Sequence, residues 1–176
     1  LAQRSYFNLS GKFNESVLGN MLYINADRYV PVRSDKIPTG EILGVAGTAM
    51  DFRNCASFQE MMRKANDEAQ VEDGYDHCFI LNGQAGELKS AARVCDPISR
   101  MGIEVLTTET GLQLYTANHL DGTTMLRGDQ PFVRNGAFCL ETQRLPDAPN
   151  NPKFGDAVLW PGETYRACTI YRFGQC

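Results

Sequence analysis

Phe138-Cys139-Leu140-Glu141-Thr142-Gln143 is an apolar, strand-like run with a single acid in its middle. An ionised carboxylate in such surroundings is costly without a partner. Gly74-Tyr75-Asp76-His77, upstream, also places a lone acid at the head of an apolar stretch. Outward from these two, most of the chain reads as short strands separated by turn residues. The strand candidates are 3–9, 21–25, 28–32, 77–82, 88–95, 102–108, 112–117, 136–143 and 165–173. Turns are marked by Pro38-Thr39-Gly40, Asn82-Gly83, Asp96-Pro97, Asp121-Gly122 and Pro161-Gly162.

One helix interrupts the pattern. Ser57, followed three residues later by Glu60, has the spacing of a capping box. Phe58, Met61, Met62 and Ala65 then fall on one face, with Arg63, Lys64, Asp67 and Glu68 on the other. That Met/Phe stripe has the pattern of packing against a sheet. Pro146-Asp147-Ala148-Pro149-Asn150-Asn151-Pro152 is too rich in proline for a central strand or a helix and reads as a surface connection. The expectation is a mainly β protein, an antiparallel β-sandwich with one short helix.

At 176 residues the chain can bury a real core, and one domain is the default. A net charge of −4 and a pI near 5.2 argue against nucleic acid or an anionic membrane as partner. No apolar run approaches the roughly 18 residues of a membrane span. Six cysteines (Cys55, Cys78, Cys95, Cys139, Cys168, Cys176) are scattered without a C-x-x-C pair. They read as reduced thiols in an intracellular, cytoplasmic protein. No metal-ligand cluster, nucleotide loop or nucleophile–base pair appears.

Two further stretches complete a constellation. Arg4-Ser5-Tyr6-Phe7-Asn8-Leu9 opens the chain, and Thr107-Thr108-Glu109-Thr110-Gly111-Leu112-Gln113-Leu114-Tyr115-Thr116-Ala117-Asn118 lies between the two acids. In this order and along the whole length, the four stretches resemble the aldose 1-epimerase (galactose mutarotase) family. Ile37-Pro38-Thr39-Gly40-Glu41, Gly47 to Phe52, Asn118 to Gly122 and Leu159 to Tyr165 extend the likeness. The resemblance is to the C-terminal part of the family's β-sandwich. The N-terminal part, which in the family supplies an arginine and a histidine to the sugar pocket, has no counterpart in residues 1–176, so the resemblance implies a chain that is either completed by more polypeptide or structurally atypical.

The resemblance implies a reaction without cofactor or metal: interconversion of the α and β anomers of a free aldohexose, galactose or glucose. A base takes the anomeric hydroxyl proton, an acid protonates the ring oxygen, and the ring opens and recloses. By resemblance Glu141 is the base, and Asp76 and Gln113 bind sugar hydroxyls. Arg4, Ser5 and Tyr6 stand at the pocket. A carboxylate among Phe138, Cys139 and Leu140 can also have its pKa raised toward working pH.

Arg4 departs from the family, which has histidine there as the general acid. Arginine cannot take that part, because it keeps its proton at any useful pH. A general acid typically contributes about 10²–10⁴-fold in rate. The implied alternative is a non-catalytic, mutarotase-like subunit that binds sugar or serves structurally. Of the two histidines, His77 follows Asp76 and so faces the other side of a strand, and His119 falls in a loop.

Overall fold

Alternation of apolar residues along short strands closes two sheets on each other. The computed structural model describes residues 1–65, 71, 73–126 and 128–176. In chain order the strands are β1 (Met21–Ile24), β2 (Ala26–Val30), β3 (Leu43–Gly44), β4 (Ala56–Ser57), β5 (Asp76–Leu81), β6 (Lys89–Cys95) and β7 (Met101–Thr107). They continue with β8 (Gly111–Tyr115), β9 (Met125–Leu126), β10 (Gln130–Pro131), β11 (Cys139–Gln143) and β12 (Thr169–Gln175). One sheet runs β11-β8-β5-β2-β3 and the other β12-β7-β6-β1-β4, while β9 and β10 form a separate ribbon. Each pairing is antiparallel.

The core lies between the sheets. Phe79, Leu112, Leu114 and Leu140 come from the first sheet, and Leu22, Ile24, Ala92, Val94, Ile103 and Val105 from the second. Each of these side chains larger than Ala92 contributes about 1.5–3 kcal/mol when taken out of water. The period of two then sends the intervening residues of β5, β8 and β11 to the outer face of the first sheet. That face is not left bare. Val30, Cys78, Leu145, Ala148 and Phe154 form an apolar cluster over one part of it. Tyr115, Ala117, Phe132, Ala137 and Cys139 form another, with Tyr6 and Phe13 against it.

The helix α1 spans Phe58–Arg63, opened by Ser57, whose side chain accepts the Glu60 N–H at 3.1 Å. Phe58 and Met61 are buried, and Met62 and Ala65 pack against the same core. The Asp67 and Glu68 positions of the expected polar face lie outside the described residues. Residues 148–150 and 152–154, in the proline-rich connection, form two single 3-10 turns whose Ala148 and Phe154 are buried. The connection is thus partly anchored as well as superficial.

Three expectations are corrected. Residues 3–9 do not form a strand; among the described residues the opening segment has only isolated backbone bridges, Ala2↔Gln143 and Phe7↔Phe138. Tyr6 turns between those bridges into the Tyr115–Phe132 cluster, which breaks the ladder. The last strand starts at Thr169, not at 165. Finally, Cys95 and Cys176 are joined in a disulfide, with Cα atoms 5.9 Å apart. They flank β7, where Cys95 is paired with Gly102. Two strands that flank a third stand about 10 Å apart. The chain closes that gap by curling past β12, where the Cys176 N–H reaches the Arg100 carbonyl at 3.1 Å. Gly102, lacking Cβ, leaves room: a Cβ there would stand 3.1 Å from that of Cys176. The sequence separation of 81 residues gave no hint of this pairing. Cys55, Cys78, Cys139 and Cys168 are free thiols. No helix among the described residues is long and apolar enough to cross a membrane.

Candidate active site

Register alone brings the candidate residues together. Glu141 on β11 lies opposite Gln113 on β8, and Gln113 lies opposite Cys78 on β5. Tyr115, two residues on, is flanked by Cys139 and Asp76. All six side chains therefore share the outer face, between the two apolar clusters. Gly74 allows β5 to begin there. Its φ of +125° is in the glycine region, and an added Cβ would meet that of Asn118 at 2.9 Å. The Tyr75 N–H donates to Thr116 Oγ1 at 2.8 Å, which fixes the start of β5 against the chain leaving β8.

Gln113 Nε2 donates to Asp76 Oδ1 at 2.7 Å, a diagonal cross-strand pair. This polarises the glutamine and leaves its carbonyl and one amide hydrogen for a ligand. Glu141 is 4% exposed. Arg4 Nε stands 2.8 Å from its Oε1. The pair is ionic, but its angle falls short of an aligned hydrogen bond, so the buried Oε1 keeps open acceptor capacity. Burial pushes the Glu141 carboxyl above the usual carboxylate range; contact and charge from Arg4 pull it back, and the charge of Asp76 adds to the rise. The Arg4 guanidinium also lies over the Tyr115 ring, 5.1 Å from its centroid.

A cavity of about 230 Å³ opens beside Glu141, lined by Arg4, Gln113, Cys78, Lys36 and Gln143 among others. That is smaller than the roughly 300–1,000 Å³ of drug-sized pockets and suits a small polar ligand. Burial pushes the Cys78 thiol up to about 12, so it stays neutral and is no nucleophile.

Ser5 and Tyr6 stand at the edge of this centre. Ser5 takes a hydrogen bond from Gln3, and Tyr6 packs edge-on to Phe132 and Tyr115 at 5.4 and 6.2 Å. Neither makes a hydrogen bond to Glu141, Gln113 or Asp76 among the described residues. His77 is buried on the core face, as alternation requires. His119 is exposed and stacks on Tyr115 at 6.0 Å. Tyr115 and Lys36 were missed from the sequence. Tyr115 was accessible, since it is two residues from Gln113 on one strand. Lys36 was not, because a hairpin distant in sequence delivers it.

The profile of the aldose 1-epimerase family matches residues 1–172. This chain belongs to the aldose 1-epimerase family. It is 39% identical over 173 residues to the human protein described as galactose mutarotase, covering 98% of this chain and 49% of that one. The Escherichia coli K12 protein described as aldose 1-epimerase is 38% identical over 170 residues, 96% of this chain and 48% of that one. The chain spans about half the length of the curated relatives it matches. Among solved structures, the galactose 1-epimerase of Lactobacillus acidophilus NCFM aligns with a TM-score of 0.79 at 26% identity, over 99% of this chain and 48% of that one. The aldose epimerase homologue of Caenorhabditis elegans aligns at 0.82 over 99% of this chain and 50% of that one; at 24% identity this is a likeness of fold. The antiparallel sandwich of this chain is therefore the galactose-mutarotase-like fold.

Proposed function

We propose that this face binds a free aldohexose and interconverts its anomers, with Glu141 as the base. One observation carries the reading: a buried carboxyl, raised in pKa, shares one sheet face with Gln113 and Asp76 in a chain of this family. The Glu141 carboxylate takes the proton of the anomeric hydroxyl. The C1–ring-oxygen bond breaks, giving the open-chain aldehyde, and the ring oxygen must gain a proton. Arg4 holds its own proton and only steadies negative charge nearby. Solvent water supplies the proton in this scheme. Rotation about C1–C2 and reclosure give the other anomer, the ring oxygen handing its proton back to solvent and Glu141 returning its own to the new anomeric oxygen. Gln113 and Asp76 hold the hydroxyls, for galactose or glucose. Without a general acid the rate falls short of a fully equipped site by about 10²–10⁴-fold.

A second reading has its own support. The Arg4–Glu141 ion pair engages the base, which suits a sugar-binding protein that does no chemistry. Polarimetric equilibration of freshly dissolved α-galactose and α-glucose, beside calorimetric sugar binding, separates the two. We expect the 176-residue chain to exceed buffer catalysis, and Glu141→Gln to remove the excess. Sugar binding without acceleration would overturn the enzymatic reading in favour of the second.

A further inference from the structure

A strand of the second sheet holds the chain on both sides of Glu141. Phe7 and Phe138 exchange two backbone hydrogen bonds, at 2.8 and 2.9 Å, on the edge of β11 that faces away from β8. Alternation along the ladder turns the Leu140 carbonyl to that same edge. There the Tyr171 hydroxyl donates to it at 2.9 Å. Two residues earlier on β12, Thr169 Oγ1 stands 2.6 Å from Thr142 Oγ1. Both chain neighbours of Glu141 are therefore anchored to β12.

The same hydroxyl reaches the side-chain carbonyl of Gln3, one residue before Arg4. The opening segment has only isolated backbone bridges among the described residues, so this contact bears directly on where Arg4 stands. The Tyr171 ring is half-buried against the core, 5.3 Å from that of Phe7. Burial, with the charge of Glu141 adding to it, pushes the hydroxyl up to about 12, so it is a neutral donor at working pH. One hydroxyl thus touches the peptide that leads into Glu141 and the segment that brings its arginine.

We propose that Tyr171 is a positioning residue for Glu141, its hydroxyl fixing the geometry of the Arg4–Glu141 contact from the far side of β11. This rests on the reading of Glu141 as the base. The titratable groups that face Glu141 are Arg4 from the opening segment, Asp76 and Cys78 from β5, Cys139 on its own strand, Lys36 across the cavity and Tyr171. Tyr171→Phe removes no charge and keeps the ring. A change in the titration of Glu141 in that variant therefore reports where the carboxylate and its arginine stand.

Polarimetry on the 176-residue chain tests it. Tyr171→Phe should lower kcat for anomer exchange about 10-fold and leave KM within about twofold, because Gln113 and Asp76 are untouched. With Arg4 less firmly placed, the desolvation of Glu141 is opposed less. The acid limb of the pH–rate profile and the carboxyl NMR titration of Glu141 should both move up in pH, less far than in Arg4→Met. Adding Tyr171→Phe to Arg4→Met should move neither further. Tyr165→Phe, which removes the hydroxyl bonded to Glu109, is the control for lost stability and should leave both in place. A lower melting temperature in Tyr171→Phe with kcat, limb and titration unmoved would overturn the proposal and leave the base reading intact. So would equal shifts in Tyr165→Phe, or additive shifts in the double variant. A wild-type chain that does not exceed the buffer rate would overturn the base reading and this proposal together.

Discussion

Each sheet carries a glutamate held by arginine, and the two glutamates are tuned in opposite directions. Glu104, on β7, has a quarter-exposed side chain and meets Arg93 at 3.2 Å and Arg172 at 3.5 Å. What burial it has works upward, but the hydrogen bonds of Ser90 and Arg93 and the charges of Arg93 and Arg172 carry it below the usual range. Glu141 meets Arg4 at 2.8 Å, a shorter contact, yet its pKa is raised. The difference is water. At Glu104 solvent shares the charge, and two arginines and a hydroxyl outweigh the modest loss of hydration. At Glu141 the side chain is 6% exposed and desolvation outweighs one half-exposed arginine. An ion pair by itself says little about whether a carboxylate is a structural charge or a poised base; its burial decides.

The comparison predicts its own largest effect in catalysis. Glu141→Gln should lower anomer exchange to the buffer rate, whereas Glu104→Gln should leave it within about twofold. Polarimetry on both variants checks this, and equal loss in the two would break the contrast.

Sugar affinity gives a smaller effect. Gln113→Leu removes the donor to Asp76 and a contact for the ligand, and a hydrogen bond to a charged group is worth about 1.5–3 kcal/mol. The Kd for the bound sugar should rise at least 10-fold by calorimetry. An unchanged Kd would move the ligand away from this strand.

Stability gives the smallest effect and sharpens the contrast between the arginines. Arg4→Met leaves a buried carboxylate without its cation, which should cost about 1–3 kcal/mol at neutral pH in denaturant unfolding. Arg172→Met, at an exposed pair, should stay within about 0.5 kcal/mol. The sign in pH is fixed by direction. The folded pKa of Glu141 is raised, so its contribution to stability is fully present below the unfolded pKa and is lost as pH rises through the folded value. Arg4→Met removes the influence that lowers it. The loss on raising pH should therefore deepen and shift to higher pH, and so should the acid limb of the pH–rate profile.

Much of this was legible in the chain. The strands of both sheets follow from short apolar runs between turn residues, and Ser57 with Glu60 announced the helix because a cap is a local contact. The trio Asp76, Gln113 and Glu141 came from the family likeness, and alternation correctly sent His77 to the core. What escaped depends on long-range geometry. Tyr6 leaves the expected 3–9 strand because its ring finds Phe132, which is remote in sequence. Cys95 reaches Cys176 only because Gly102 stands between them without a side chain. Lys36 enters the cavity through the fold of a hairpin, and no motif marks it.

The central claim is that burial makes Glu141 a poised base despite its arginine. The direct measurement is a carboxyl NMR titration of the folded 176-residue chain, with the Glu141 and Glu104 signals assigned through Glu141→Gln and Glu104→Gln. Glu141 should titrate above the usual glutamate value and Glu104 below it, with Glu141 moving further up in Arg4→Met. Glu141 titrating at or below the usual value, or alongside Glu104, would contradict the account.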